Sequence, residues 1–351
     1  MAKLFYKDKP ITGLDISTTG VKFMSIDPKK STVVGYGTLD LEPLKVKDSL
    51  EKGDPYLTEN IKTLLKEKIV GEIASRRVIV GIPTARSYSR TFILPISAEK
   101  NIEDAITLEA DQYIPIASDM LYIDSEVIER NKKEVTVLMS AVAKTIINNV
   151  ITSVQNAGLE VGMIEPSISA VGRVLMSTEE GSLPTVIVDI GPASTDIAIL
   201  DGGVIRVTSS LAIGGNTFTL DIAKKMGVAL ENAHQLKVLN GLNAGPRQQK
   251  ITAALKPSLD RIVAESRKVM RYYQERIATT RKLEQLLIVG SGSNVPGIGD
   301  YFTNELVMAA RVASPWQTLD FGKLQEPPKQ FRPRYISVAG LASVKPEAIW
   351  K

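Results

Sequence analysis

One short pattern occurs twice in this chain, and the recurrence limits what the chain can fold into. Residues 11–17 read as a β-rich run through Leu14-Asp15-Ile16, followed by a small-residue turn and a second strand at 20–26. Residues 185–190 run through Val188-Asp189-Ile190, again followed by a small-residue turn and a second strand at 195–200. The letters agree weakly, but the order of elements agrees well. Two domains of related design follow. A length of 351 residues accommodates two domains, and an apolar fraction of 44% supplies two cores.

The intervening sequence sets the expected limits. After a turn signal at Asp27-Pro28-Lys29-Lys30, residues 31–41 read as a third strand. A polar stretch precedes a helix over 58–68 with Ile61, Leu64 and Leu65 on one face, then a buried strand over 77–82. Residues 84–161 form a distinct block. A strand at 90–95 leads to a helix capped by Ser97, with Ile102, Ala105, Ile106 and Tyr113 inward and Pro115 as its stop. Strands at 121–129 and 134–143 and a helix at 145–157 complete it. In the second half, Asp201-Gly202-Gly203 marks a hairpin before a strand at 204–209. Helices are expected near 217–226, over 257–283 and over 335–344, with a buried strand at 286–289. The expected organisation is domain I over 1–180 with an insertion at about 84–161, domain II over 181–334, and a closing segment 335–351 that returns to domain I.

Composition excludes several chemistries. With no cysteine there are no disulfides, thiolate metal sites or cysteine nucleophiles. The lone histidine, His234, sits in an ordinary polar helix start. A net charge of +4 does not call for a nucleic-acid partner. The opening Met1-Ala2-Lys3-Leu4-Phe5-Tyr6-Lys7 lacks an apolar signal core, and no apolar run nears the ~20 residues of a membrane span. The expectation is a cytoplasmic protein, peripheral to a membrane only through a partner.

Three small-residue turns that follow buried strands can present backbone N–H groups to phosphate. They are Asp15-Ile16-Ser17-Thr18-Thr19-Gly20, Asp189-Ile190-Gly191-Pro192-Ala193-Ser194-Thr195, and Gly290-Ser291-Gly292-Ser293. Each alone is a common hairpin; together, across a duplicated pattern, they are specific. Two such hairpins can clamp a triphosphate. Mg²⁺ keeps several waters and few carboxylates, so Asp15 and Asp189 suit it as anchors through water. Lys22 can reach back to the phosphates as a point charge, and an adenine end would pack at Gly292. Ser17 crowds the first turn, and Pro192 removes one N–H donor from the second.

This arrangement resembles the actin, Hsp70 and sugar-kinase superfamily: an α/β, two-domain actin-like fold with an inserted FtsA-like 1C subdomain. Asp15 and Lys22 match its first phosphate motif, Asp189 and Gly191 its second, and Gly290, Gly292 and Ser293 its adenosine motif. The run Glu109-Ala110-Asp111-Gln112-Tyr113-Ile114-Pro115 in the inserted block resembles the PilM family of type IV pilus assembly proteins. So do Val142-Ala143-Lys144, Ile213-Gly214-Gly215-Asn216, Glu265-Ser266-Arg267-Lys268 before Tyr272-Tyr273, and Gly340-Leu341-Ala342. The resemblance implies a cytoplasmic ATP- and Mg²⁺-binding protein, at most a slow ATPase, with Ser291 in the adenosine turn and Glu265 near the ribose. It implies a groove beside the inserted block, around 90–96 and 102–113, for the N-terminal cytoplasmic tail of a PilN-like inner-membrane protein. It also implies a link to pilus motor ATPases and leaves room for a homo-oligomer. Two alternatives share the superfamily. A small-molecule kinase would need a catalytic aspartate facing a sugar pocket, which does not stand out. An FtsA-like cytoskeletal protein typically ends in a basic amphipathic helix, for which Lys345-Pro346-Glu347-Ala348-Ile349-Trp350-Lys351 is short and broken.

Overall fold

The computed structural model describes residues 11–27, 30–178, 183–243, 245–278, 281–314, 316 and 319–344. Residues 1–10, 28–29 and 345–351 are among those outside them. The chain divides into two compact units. The first comprises residues 1–174, 318–326 and 337–351, and the second residues 175–317 and 327–336.

In the first unit, β1 (Ile11–Ser17), β2 (Gly20–Asp27) and β3 (Thr32–Asp40) form an antiparallel meander. Helices α1 (Pro43–Lys52) and α2 (Tyr56–Glu67) follow, then β4 (Ile69–Gly71) and β5 (Arg77–Ile82). An excursion then runs through β6 (Ser87–Pro95), α3 (Ile102–Tyr113), β7 (Leu121–Arg130) and β8 (Glu134–Ala143). The chain returns through α4 (Lys144–Asn156), β9 (Glu160–Pro166) and α5 (Ser167–Thr178). The main sheet runs β4-β3-β2-β1-β5-β9, with β5 parallel to β1 and β9 parallel to β5. Alternation along β1 sorts its side chains. Leu14 and Ile16 join Val80, Ile82, Leu57, Ile61 and Val150 in a core under α1, α2 and α4. Gly13 and Asp15 take the opposite face. There a smaller core joins Ile79 to Ala170 of α5 and Leu341 of the closing helix.

The inserted block is a sheet ordered β6-β8-β7, backed by α3. Val135, Val137, Met139 and Ala141 of β8 meet Ile106, Ala110 and Ile114 in its own core.

In the second unit, β10 (Thr185–Ile190), β11 (Thr195–Asp201) and β12 (Val204–Leu211) repeat the meander. Helices α6 (Gly215–Met226), α7 (Leu230–Leu239) and α8 (Gln248–Arg276) follow, then β13 (Gln285–Val289), α9 (Ile298–Leu306) and β14 (Ala310–Val312). β13 pairs parallel to β10, as β5 pairs parallel to β1. Val186, Val188 and Ile190 alternate into a core with Phe218, Ile262 and Tyr273. The closing helix α10 (Ile336–Ala342) carries its residues from Ser337 onward back to the first unit.

The expected helix over 257–283 begins nine residues earlier, at Gln248, and contains Pro257 as an interior residue. The stretch read as polar after β3 holds α1, which buries only Val46, Ser49 and Leu50. No helix among the described residues is long and apolar enough to cross a membrane.

Candidate functional site

The candidate residues fall into two sets, one in each unit. In the first, antiparallel register places Asp15 opposite Lys22 and closes the hairpin at Ser17 and Gly20. Asp15 is 1% exposed, and its Oδ2 lies 2.6 Å from Lys22 Nζ. Ser337 of α10 donates to Oδ2 at 2.7 Å, and Ser167, at the start of α5, donates to Oδ1 at 2.6 Å. Burial by itself raises the Asp15 pKa. The Lys22 charge, the Lys22 hydrogen bond and the two serine hydroxyls outweigh it, so the carboxyl is held below its ordinary value. Ser17 Oγ donates to the Gly20 carbonyl at 2.9 Å. Thr18 and Thr19 form the turn, and their N–H groups take no protein acceptor among the described residues.

In the second unit, three turns meet backbone to backbone. Gly191 N–H donates to the Ser194 carbonyl at 2.8 Å, which shapes the turn around Pro192 and Ala193. Gly215 and Asn216, at the start of α6, donate to the carbonyls of Gly191 at 2.9 Å and Pro192 at 2.8 Å. The α6 N-terminus is thus spent on holding the turn. The contact tolerates no side chain at two points. A Cβ on Gly214 would lie 2.5 Å from the Gly191 carbonyl oxygen, and one on Gly292 2.6 Å from Ile190 Cγ2. The third turn is closed by Ser293, whose N–H and hydroxyl reach the Gly290 carbonyl at 3.1 and 2.7 Å, with Ser291 beginning its single 3₁₀ turn. Thr195 is buried and gives its hydroxyl to the Ile213 carbonyl at 2.7 Å. The N–H groups of Ala193 and Ser194 take no protein acceptor among the described residues, which leaves them free for an anion.

Asp189 is partly exposed and pairs in register with Asp196 of β11, so both carboxylates stand on one face of the sheet. Glu265 and Lys268 are not drawn into this junction. Glu265 Oε1 accepts from Ser209 of β12 at 2.6 Å and lies 3.3 Å from Lys268 Nζ.

Lys237 was missed by sequence reasoning. It is 6% exposed, and its Nζ donates to the Gly215 carbonyl at 2.8 Å and to Thr219 Oγ1 at 2.9 Å. Burial pulls its pKa down to about 8. A Cβ on Gly215 would lie 3.5 Å from that Nζ and 3.2 Å from Gly292 Cα, so the lysine sits at the meeting of the turns. In sequence it is one more lysine on a polar helix, and no local signal marks it. Ser167 and Ser337 were missed for the same reason.

A polar cleft of about 370 Å³ opens among α1, α2 and α4, lined by Asp54, Thr58, Lys62 and Asn149 among others, and no candidate residue lines it. No group of three or more carboxylates or histidines poised for a metal occurs among the described residues.

A family model described as type IV pilus assembly protein PilM matches residues 13–344. The cell division protein FtsA of Bacillus subtilis is 24% identical over 348 residues, covering 86% of this chain and 78% of that protein. A solved PilM–PilN type IV pilus biogenesis complex superimposes with a TM-score of 0.78 at 21% identity, covering 95% of this chain and 97% of that one. A non-polymerising MamK mutant bound to AMPPNP superimposes at 0.51 and 14% identity, covering 97% of this chain and 99% of that one. The two structural likenesses establish the fold, which is actin-like.

Proposed function

The chain belongs to the family of type IV pilus assembly protein PilM, and from that membership we propose that it is an ATP-binding component of an inner-membrane pilus assembly platform. It binds the N-terminal cytoplasmic tail of a PilN-like membrane protein and is held at the membrane by that partner. The observation that carries the reading is the family match across residues 13–344. The likeness to a chain solved in complex with PilN supports the choice of partner.

Nucleotide binding is supported by the chemistry of the turns. The N–H groups of Ala193, Ser194, Thr18 and Thr19 suit phosphate oxygens, and Lys22 supplies a positive charge. Lys237 adds a cation beside the Gly292 turn. Mg²⁺ would supply charge neutralisation between phosphate oxygens, and Asp189 fits it as a partly exposed carboxylate. Ser17 crowds the first turn and Pro192 has no N–H to donate, so both loosen the phosphate grip and argue against tight binding and fast hydrolysis. The platform role extends, in this reading, to pilus motor ATPases. The inserted block carries the tail-binding groove.

The test is calorimetry of the full chain, first with Mg-ATP and then with a synthetic copy of the partner's cytoplasmic tail. Binding of both, with tail affinity changed by nucleotide, is the expected result. A second reading, an FtsA-like cell-division role, is favoured by the similarity to the Bacillus subtilis protein. Nucleotide binding with no affinity for the tail peptide would move the assignment to it.

A further inference from the structure

The positive charge of this chain is concentrated on one helix of the second unit. α8 carries seven lysines and arginines against three carboxylates, an excess of +4 that equals the net charge of all 351 residues, so the rest of the chain is balanced. Its core face buries Ile251, Leu255, Ile262, Val269 and Tyr273. On the face turned away, steps of three, four and seven place Lys250, Pro257, Arg261, Ala264, Lys268 and Arg271 in one exposed stripe. Two of the three carboxylates are taken up by partners in the fold. Asp260 accepts from the Tyr301 hydroxyl at 2.6 Å, and Glu265 from Ser209 at 2.6 Å. Glu275, in the last turn, is the one acid on the stripe. Lys250, Arg261 and Arg271 form no ion pair or hydrogen bond with any described residue. Lys268 lies 3.3 Å from Glu265, yet its side chain is 77% exposed. α6 meets α8 where Asp221 accepts from Ser258 at 2.6 Å, and within its next turn adds the exposed Lys224 and Lys225.

We infer that the exposed face of α8 is a contact surface for an anionic lipid bilayer, so that the chain adds its own electrostatic hold to that of its membrane partner. The inference rests on the proposal above only in placing the chain at an inner membrane. Basic side chains left unpaired along one stripe raise a positive potential over it. From Lys250 to Arg271 the helix rises about 32 Å, enough to lie across several lipid headgroups at once. No large apolar side chain of α8 is exposed. The helix therefore rests on the headgroups and does not insert, and its binding is reversible and sensitive to salt. A nucleic acid carries the same phosphate charge, but its binders interleave their cations with aromatic side chains that stack on bases or with amides that read them. This stripe interposes proline and alanine.

The experiment is co-sedimentation of the full chain with vesicles of pure phosphatidylcholine and with vesicles one-third phosphatidylglycerol, beside a duplex DNA probe and the tail peptide. Wild type should bind the anionic vesicles and not the neutral ones. It should be released as salt rises from about 0.1 to about 1 M, where the Debye length falls from about 10 to about 3 Å. Lys250→Gln, Arg261→Gln and Arg271→Gln combined should weaken vesicle binding about 100-fold, at about fivefold for each basic residue near the surface. Lys62→Gln, Lys66→Gln and Lys68→Gln combined remove the same charge from the exposed surface around α2 of the first unit and should leave binding unchanged. Equal losses in the two triple variants would mean that net charge alone drives adsorption, and would overturn the inference. No binding to anionic vesicles, with the tail peptide still captured, would overturn it and leave the pilus reading intact. Binding to those vesicles without affinity for the tail peptide would uphold it and remove the partner instead. Retention of the DNA but not of the vesicles, abolished by the α8 triple variant, would put nucleic acid in place of lipid and overturn it as well.

Discussion

Gly292 meets Ile190 and the Gly191 carbonyl at distances where a methyl group cannot fit. Gly292→Ala must therefore push the 290–293 turn off the 190–191 backbone. It should lower stability by ~1–3 kcal/mol, as other overpacked contacts do, and weaken nucleotide binding more than Ser293→Ala does; a variant with wild-type affinity and melting temperature would refute the backbone junction. Lys237 gives a pH-dependent prediction. Its folded pKa of about 8 lies below the ordinary 10.5. Between those values the unfolded chain holds more protons than the folded one, so this residue's contribution makes stability rise with pH across that window and stay flat below it. The stability difference between wild type and Lys237→Met, from urea unfolding at pH 7.5 and 9.5, should grow in favour of wild type at the higher pH. A constant difference would mean that the lysine titrates normally. The two residues also mark the limit of sequence reading. Gly292 was legible because a small-residue turn after a buried strand is a local pattern. Lys237 and Ser337 were not, because their partners Gly215 and Asp15 lie 22 and 322 positions away and only packing joins them.

Among the elements, the meanders were read well because β-runs that end in turn residues announce themselves twice. Helices with thin apolar faces were not. α1 buries Val46 and Leu50 as its only large apolar side chains, too few to show a period, and it forms because α4 covers that side. The start of α8 was misplaced for a different reason. Proline suits a first helical turn, so Pro257 looked like a beginning. The helix instead runs through it, because Ile251, Ala254 and Leu255 before it and Leu259, Ile262 and Val263 after it bury one continuous stripe. The proline is tolerated on the exposed side, where water can satisfy the carbonyl left without its partner. Pro257→Ala should restore that bond and stabilise the second unit by about 1 kcal/mol or more. An unchanged or lowered urea midpoint would show that the proline costs the helix nothing.

At the scale of the whole molecule, sequence order and structural membership part company. The chain builds its first unit, passes through the second, and then supplies α10 to the first. Leu341 is fully buried there against Ile79 and Ala170. Arg173 donates to Glu165 through its two terminal guanidinium nitrogens at 2.8 and 2.7 Å and also to the Gly340 carbonyl at 2.8 Å, fastening the returning helix to β9 and α5. The first unit's sheet face is therefore completed by residues more than 300 positions after β1. Truncating Leu341 to alanine should cost ~2–5 kcal/mol, the range for large-to-small changes in a packed core. The loss should fall on one unit only. Hydrogen exchange should speed up in β1, β5 and α5 and stay at wild-type rates in β10, β11 and α8, although Leu341 lies after all six in the chain. Equal acceleration in both sets would mean that the units do not unfold separately. Acceleration confined to β10, β11 and α8 would assign the closing helix to the wrong unit.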